Sequence, residues 1–141
     1  YYLSTNYEPA FLIGEIVFPD HNYNISVLNP NQVGINGGTD SAQLYIDKYT
    51  STNYDNSSFL SQLVGNNTQL TLTQGTNSVI YQCTSNAFHY GSFGPTTGSY
   101  YFDTLVLGPS GSSTASDVTV ISPASYDFNT SDPITISIQL I

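Results

Sequence analysis

The first eighteen residues constrain the fold most, because they read as strand throughout but change character halfway. Small polar residues such as Ser4 and Asn6 alternate with bulky or β-branched ones, the period-2 pattern of a strand with one buried face. The bulky or β-branched set is Tyr1, Leu3, Thr5 and Tyr7. Glu8-Pro9 interrupts the pattern, and the run from 10 to 18 is apolar on both faces, so it needs a partner above and below. We therefore divide the chain into a tail, residues 1–9, and a domain, residues 10–141.

The composition indicates a neutral polar surface. Hydrophobic residues make up 39% of the 141 residues and charged ones only 8%, against about a quarter in ordinary globular proteins. This deviation favours an extracellular or structural role over a cytosolic enzyme. One basic residue against ten acidic ones gives a net charge of −9, which argues against nucleic acid and anionic membranes as partners.

Secretion is the expected route for this chain. It contains no Met and begins with Tyr1, so we expect that a signal segment has been removed. No apolar run reaches the roughly 18 residues of a membrane span, and we expect no membrane insertion. Cys83 stands alone, which leaves a buried thiol or an intermolecular bridge; its position on one strand face with Val79 and Tyr81 favours the buried thiol.

The rest of the chain alternates between short strand patterns and turn signals. Strands are predicted at 23–28, 42–49, 69–73, 77–83, 100–107, 117–121 and 134–141. Residues 57–64 are predicted to form one short helix, capped by Asn56 or Ser57 and ended by Gly65. We expect a long loop at 85–98 and a linker at 109–116. The pattern predicts an all-β, antiparallel Greek-key sandwich, immunoglobulin-like or pilin-like, with at most one short helix.

The last strand has the clearest alternation. One face carries only aliphatic residues, namely Ile134, Ile136, Ile138 and Leu140, and the other carries Thr135, Ser137 and Gln139. Nothing in the sequence obliges the second edge of this strand to be covered, and an open edge invites another strand. If the alternating tail of one molecule fills the groove of the next, the contact is heterologous and its repetition builds a filament.

Catalytic chemistry has no support in the sequence. His21 and His89 are isolated, and there is no nucleophile elbow, Walker loop or Cys/His pairing. We expect a protein that is not an enzyme and needs no metal or cofactor. The cluster at 100–102 (Tyr-Tyr-Phe) offers a surface for carbohydrate stacking, but alternation sends its side chains to opposite faces and favours strand packing.

Four Asn-x-Ser/Thr sequons occur in or beside predicted turns and strand ends. They begin at Asn24, Asn56, Asn66 and Asn129. Their number alone is close to chance in a chain this rich in Asn, Ser and Thr. In combination with secretion, they predict covalent N-glycans.

Two short stretches resemble the subunits of type 1 pili. Gly14-Glu15-Ile16-Val17 resembles the junction between donor extension and first strand, and residues 135–140 resemble the closing strand. Chaperone–usher pilins usually carry a disulfide and a near-terminal aromatic residue, whereas this chain has only Cys83 and a penultimate Leu140. A disulfide-free, sequon-bearing chain rich in Tyr, Asn, Ser and Thr is instead similar to the thread-filament subunits of thermoacidophilic archaea.

The resemblance implies a glycosylated cell-surface filament with a role in adhesion or biofilm, built from identical subunits by head-to-tail donor-strand complementation. Carried over residue by residue, the donor side chains are Tyr1, Leu3, Thr5 and Tyr7. The acceptor groove is lined by Ile134, Ile136, Ile138 and Leu140. The alternative is a secreted, glycosylated sandwich module whose tail pairs within its own domain and which binds carbohydrate or decorates a virion or cell surface.

Overall fold

The computed structural model describes residues 1–3, 14–17, 30–33, 44–91, 104–107 and 117–141, and the structural statements below concern these residues. The described strands are β1 (Tyr2–Leu3), β2 (Glu15–Val17), β3 (Leu44–Asp47), β4 (Thr68–Gln74), β5 (Asn77–Cys83), β6 (Phe88–Gly91), β7 (Thr104–Leu107), β8 (Val118–Ser122) and β9 (Thr135–Leu140). One helical segment, α1 (Ser57–Leu60), continues into a 3₁₀ turn at Ser61–Leu63, and a second 3₁₀ turn spans Pro30–Gln32.

The strands form two sheets. The first has the order β1-β2-β3-β7-β6 and is antiparallel except where β1 runs parallel to β2. The second has the order β8-β5-β4-β9 and is antiparallel throughout. Strand β9 is therefore an edge strand, with β4 as its only strand partner in the described structure.

Both sheets contribute to one hydrophobic core. Leu3, Ile16 and Ile46 enter it from the first sheet, and Leu72 and Tyr81 from the second. These side chains are almost completely buried. The all-β prediction is confirmed, with two sheets around a shared core and one short helical segment.

The β4–β5 hairpin follows directly from its sequence. Burial alternates along both strands, as the period-2 pattern predicts. Gln74 pairs with Asn77, which leaves a two-residue loop whose first position, Gly75, has φ +62°. Such loops commonly need a positive φ there, and glycine supplies it without steric cost. The strands predicted at 69–73 and 77–83 are confirmed.

The helix predicted at 57–64 is also confirmed, but its cap differs from the prediction. Leu60 and Leu63 are buried, and Gly65 follows with φ +78°. The Asn56 side chain makes no capping bond; the Asp55 carboxylate accepts the N–H of Ser57 at 3.0 Å instead. Asp55, the residue before the predicted cap, therefore provides a hydrogen-bond acceptor for a backbone N–H in the first turn of the helix.

One prediction about local structure was wrong. The loop predicted at 85–98 contains β6, a four-residue strand paired with β7 and too short for a clear sequence period. The strand predicted at 42–49 is present as β3, and the side chains of all four of its residues are buried. The predicted strand at 23–28, the linker at 109–116, Thr5, Tyr7 and Asn24 lie outside the described residues.

Candidate strand-exchange site

The first three residues pack on their own chain. Tyr2 and Leu3 lie opposite Glu15 and Ile16 in the parallel β1–β2 pair, and the N–H of Tyr2 donates to the Gly14 carbonyl at 2.9 Å. The Leu3 side chain is only 1% exposed and belongs to the core. In the single chain, the start of the tail thus occupies a site in its own domain.

Tyr1 connects this tail to the second sheet. The N–H of Ile134 donates to the Tyr1 carbonyl at 2.6 Å, and the Tyr1 amino group donates to the Ile134 carbonyl at 3.2 Å. This reciprocal exchange is the pattern of a hydrogen-bonded pair between antiparallel strands. The structure therefore brings a predicted donor residue, Tyr1, against a predicted acceptor residue, Ile134, within one chain.

The Tyr1 ring is held by further contacts. Its hydroxyl donates to the Asp47 backbone carbonyl at 2.8 Å, and the Asn56 side-chain amide lies 3.5 Å from the hydroxyl. Burial raises the pKa of the Tyr1 phenol to about 12; Asn56 opposes the rise, whereas the charges of Asp47 and Asp55 add to it. The phenol therefore remains protonated, and able to donate, well above neutral pH.

Gly14 lies beside the docked tail and bonds through its backbone to both Tyr2 and Asp47. Its φ is +78°, and a Cβ at this position would lie 2.4 Å from the Ser51 Cα. Its N–H donates to the buried Asp47 carboxylate at 2.9 Å. Only glycine accommodates both the positive φ and the close approach to Ser51, so a glycine at position 14 has a steric reason in this fold.

A cavity of about 320 Å³ lies beside Tyr1 at the start of β9. Its lining combines two aromatic, two aliphatic and two polar residues. The lining residues are Tyr1, Asn56, Phe59, Ile134, Thr135 and Ile136. The cavity is thus largely apolar and has room for a hydrophobic side chain beside the Tyr1–Ile134 pair.

Of the predicted acceptor residues, Ile134 immediately precedes β9 and the other three share one of its faces, and the four differ in burial. Ile134 is buried, Ile136 and Ile138 are half-buried against the core, and Leu140 is 55% exposed. The opposite face of β9 is exposed. In the described structure only Ile134 has a partner on the free side of the strand, so Tyr1 covers the first residue of the predicted groove and leaves the rest open.

A buried glutamine positions the start of β9. The Gln74 side chain donates to the carbonyls of Asn129 and Asp132, at 2.8 and 2.9 Å, and accepts the N–H of Asn129 at 2.8 Å. It is 1% exposed, at the end of β4. Sequence reasoning missed this residue, because a glutamine at a strand end carries no signal for such contacts.

The sequon asparagines differ in accessibility. Asn66 is exposed, whereas Asn56 is half-buried beside Tyr1. Asn129 is half-buried, and its side chain donates to the Asp132 carboxylate at 2.9 Å while accepting the N–H groups of Ser131 and Asp132. Of the three described sequon asparagines, Asn66 alone is exposed, and its side-chain amide donates to the carbonyls of Gln62 and Val64, at 3.0 and 3.4 Å.

The predictions about the cysteine, metal sites and membrane spans were compared with the described residues. Cys83 is buried, as predicted, and burial raises the pKa of its thiol to about 12. Among the described residues, no group of three or more His, Cys, Asp or Glu is arranged to hold a metal ion. No described helix has the length and apolar character needed to cross a membrane.

Comparison of the chain with protein-family models, with curated proteins and with solved structures gave no match. The resemblance to pilin-like subunits therefore depends on the residues quoted above. The geometry around Tyr1 and Ile134 provides a separate basis for inferring function.

Proposed function

We propose that this protein is a structural subunit of an extracellular filament, in which identical subunits join head-to-tail by exchanging their N-terminal strands. The observation that carries the proposal is the reciprocal pairing of Tyr1 with Ile134. In a single chain this pair closes on itself. If the tail moves to a neighbouring molecule, the same contacts form between subunits, as in domain swapping.

The contacts of the tail suit such an exchange. The described part of the tail pairs through β1, which is two residues long, and the buried Leu3 and the Tyr1 hydroxyl define where the tail docks. Exchange recovers each of these contacts in the acceptor, so its cost is mainly that of releasing them. Ten residues, 4–13, separate the docked segment from Gly14, and ten extended residues reach about 35 Å. That length is comparable to the diameter of a domain of this size.

The remaining parts of the proposal concern the environment of the filament. The low charge content and the sequons support a secreted glycoprotein on the cell surface, with adhesion or biofilm formation as its role rather than catalysis. We also propose that the strands of the two sheets are connected as a Greek key, as in pilin-like sandwiches. Electron microscopy of native material tests for filaments, and its intact mass, compared with that of the unmodified sequence, tests for glycans.

Disulfide trapping tests the exchange directly. Cα atoms of a hydrogen-bonded antiparallel pair lie about 5.5 Å apart, within the range that a disulfide spans. We expect Tyr1→Cys/Ile134→Cys, in a Cys83→Ala background, to form a ladder of covalent multimers after assembly at high concentration. Denaturing, non-reducing electrophoresis separates these multimers from a monomer closed by an internal bridge.

Tyr1→Cys/Thr135→Cys is the matched control. It places the second thiol one residue away, on the exposed opposite face of β9, and we expect little cross-linking. A closed monomer as the sole product of the Ile134 pair, at every concentration, would refute strand exchange.

One observation favours a second candidate, a self-contained secreted module that binds carbohydrate or decorates a surface. Residues 1–3 dock in their own domain without a partner molecule. Two tyrosines, Tyr54 and Tyr126, are 67% and 50% exposed, and exposed aromatic side chains are groups on which sugars stack. This candidate predicts a monomer that binds oligosaccharides in calorimetry and loses affinity in Tyr54→Ala or Tyr126→Ala.

A further inference from the structure

One side of β9 presents a row of backbone groups without strand partners in the described structure. The N–H and C=O of Ile134 point away from β4, since both pair with Tyr1. Backbone groups alternate sides along a strand, so those of Ile136, Ile138 and Leu140 point to the same free side. The N–H of Ile141, which has the opposite phase, donates to the Asn67 carbonyl on the β4 side at 3.0 Å.

The same edge lacks the features that usually prevent strand pairing. Natural edge strands are often protected by charged residues, proline or bulges. Residues 134–141 contain no charged side chain and no proline, and the pairing of β9 with β4 continues through six residues without a register shift. Although the chain carries a net charge of −9, a second copy of β9 meets no like charge within this strand.

We propose that this edge binds β9 of a second copy of the chain, antiparallel and around a two-fold axis at Ile138. In this register Ile136 lies opposite the partner's Leu140, and Ile138 lies opposite the partner's Ile138. Ile136, Ile138 and Leu140, whose backbone groups point to the free side of β9, then all form hydrogen-bonded pairs. Registers shifted toward Ile134 are blocked because Tyr1 already occupies the position opposite that residue. The result is one eight-stranded sheet across two molecules, with both inner faces on the same side.

The side chains are self-complementary in this register. The partner's Leu140, which is 55% exposed in the single chain, lies opposite Ile136 and therefore beside the cavity that Ile136, Phe59 and Tyr1 line. On the outer face, Ser137 lies opposite the partner's Gln139, where a hydroxyl and an amide are able to bond. Pairing removes Leu140 from water and places an aliphatic side chain beside an apolar cavity.

This contact is independent of strand exchange. Exchange uses the docking site of Tyr1 and Leu3, whereas the β9 contact uses backbone groups that the tail leaves open. A two-fold contact closes after two copies and gives a dimer. In a filament, it would join subunits of two neighbouring filaments side by side.

Paired charges on the outer face test the register without touching the core. Ser137 and Gln139 are exposed, and each lies opposite the other in the partner. A small interface gives weak association. We therefore expect sedimentation equilibrium to detect pairing of the wild type through β9 as the protein concentration approaches about 1 mM. Ser137→Glu/Gln139→Glu places like charges opposite each other and should weaken dimerisation about tenfold. Ser137→Lys/Gln139→Glu should restore it, because opposite charges then face each other.

Thr119→Glu/Ile121→Glu is the matched control, since it adds the same charge to the exposed face of β8, the other edge of this sheet. We expect this control to dimerise like the wild type. A wild-type protein that stays monomeric, or equal weakening by both charge patterns at 137 and 139, would overturn the proposed pairing. Strand exchange alone gives open-ended oligomers in the wild type and in both charge variants alike, so association that is the same in all three proteins would also overturn the β9 pairing.

Discussion

At the scale of single residues, Tyr1 contacts both parts of the sandwich. Its main chain pairs with Ile134, which immediately precedes β9 of the second sheet, and its hydroxyl donates to the carbonyl of Asp47 in the first. The following residue, Tyr2, already belongs to the first sheet. Tyr1 therefore links the docked tail to both parts of the structure, and changes to it report on docking.

Replacement of Tyr1 by Phe isolates the contribution of the hydroxyl. At neutral pH we expect Tyr1→Phe to lower the free energy of unfolding by about 1 kcal/mol, the usual value of one hydrogen bond. The folded-state pKa of about 12 exceeds the ordinary value of 10.0, so the contribution of this phenol is complete below pH 10. It is lost as the pH rises toward 12, because the Tyr1 phenol deprotonates at a lower pH in the released tail than in the docked tail.

Urea unfolding of both proteins between pH 7 and pH 12 measures this difference. The other tyrosines and Cys83 are common to both chains, so their titration cancels in the comparison. We expect the advantage of the wild type to shrink above pH 10. An advantage independent of pH would mean that the docked phenol titrates normally.

Gly14 permits a prediction in which two effects are separable. Gly14 and Gly65 both have φ +78°, but an added Cβ contacts the Ser51 backbone at Gly14 and meets nothing within 4 Å at Gly65. We expect Gly65→Ala to cost about 1–2 kcal/mol, the strain of a left-handed alanine. Gly14→Ala should cost clearly more and should loosen the docked tail. Equal losses in thermal unfolding would show that the close approach to Ser51 is easily relieved.

At the scale of elements, local periodicity predicted what local interactions determine. The β4–β5 hairpin and the helix at 57–64 are set by neighbouring residues, and both were found from sequence. β6 was missed because a four-residue strand is defined by its partner, β7. The pairing of Tyr1 with Ile134 joins residues 133 positions apart, so the sequence alone indicated two strand-forming ends and left open whether they pair within one chain or between two.

The loop before β9 depends on one glutamine, and this dependence is testable. Gln74→Ala leaves three backbone groups of Asn129 and Asp132 without their buried partner. Unsatisfied buried groups cost about 1–3 kcal/mol, so we expect a loss of this size. Gln69→Ala, on the half-buried face of the same strand, should cost less. Hydrogen exchange should show faster exchange at Ile134 and along β9 in the Gln74 variant; unchanged protection would contradict the proposed role.

At the scale of the whole molecule, the two proposed contacts give different kinds of assembly. Strand exchange is heterologous and open-ended, whereas pairing through β9 is two-fold and closed. The first depends on Leu3 and Tyr1, and the second on the free side of β9. Because Leu3 also belongs to the core, a charged residue at position 3 would destabilise the single chain, and its effect on assembly would not be specific. A test of the filament must therefore supply the tail and the acceptor site on separate molecules.

A chain lacking residues 1–9 provides that separation. It loses the burial of Leu3, worth about 1.5–3 kcal/mol, and should unfold at a lower temperature than the intact chain. A synthetic peptide of residues 1–9 should restore part of this stability, whereas a Leu3→Asp peptide should not. The truncated subunit keeps an acceptor site but has no strand to donate, so exchange predicts that small amounts of it cap growing filaments. We expect filament length, measured by electron microscopy, to fall as its proportion rises, because each incorporated copy ends one chain of contacts; unchanged lengths with a folded truncated chain would exclude the N-terminal strand as the link between subunits.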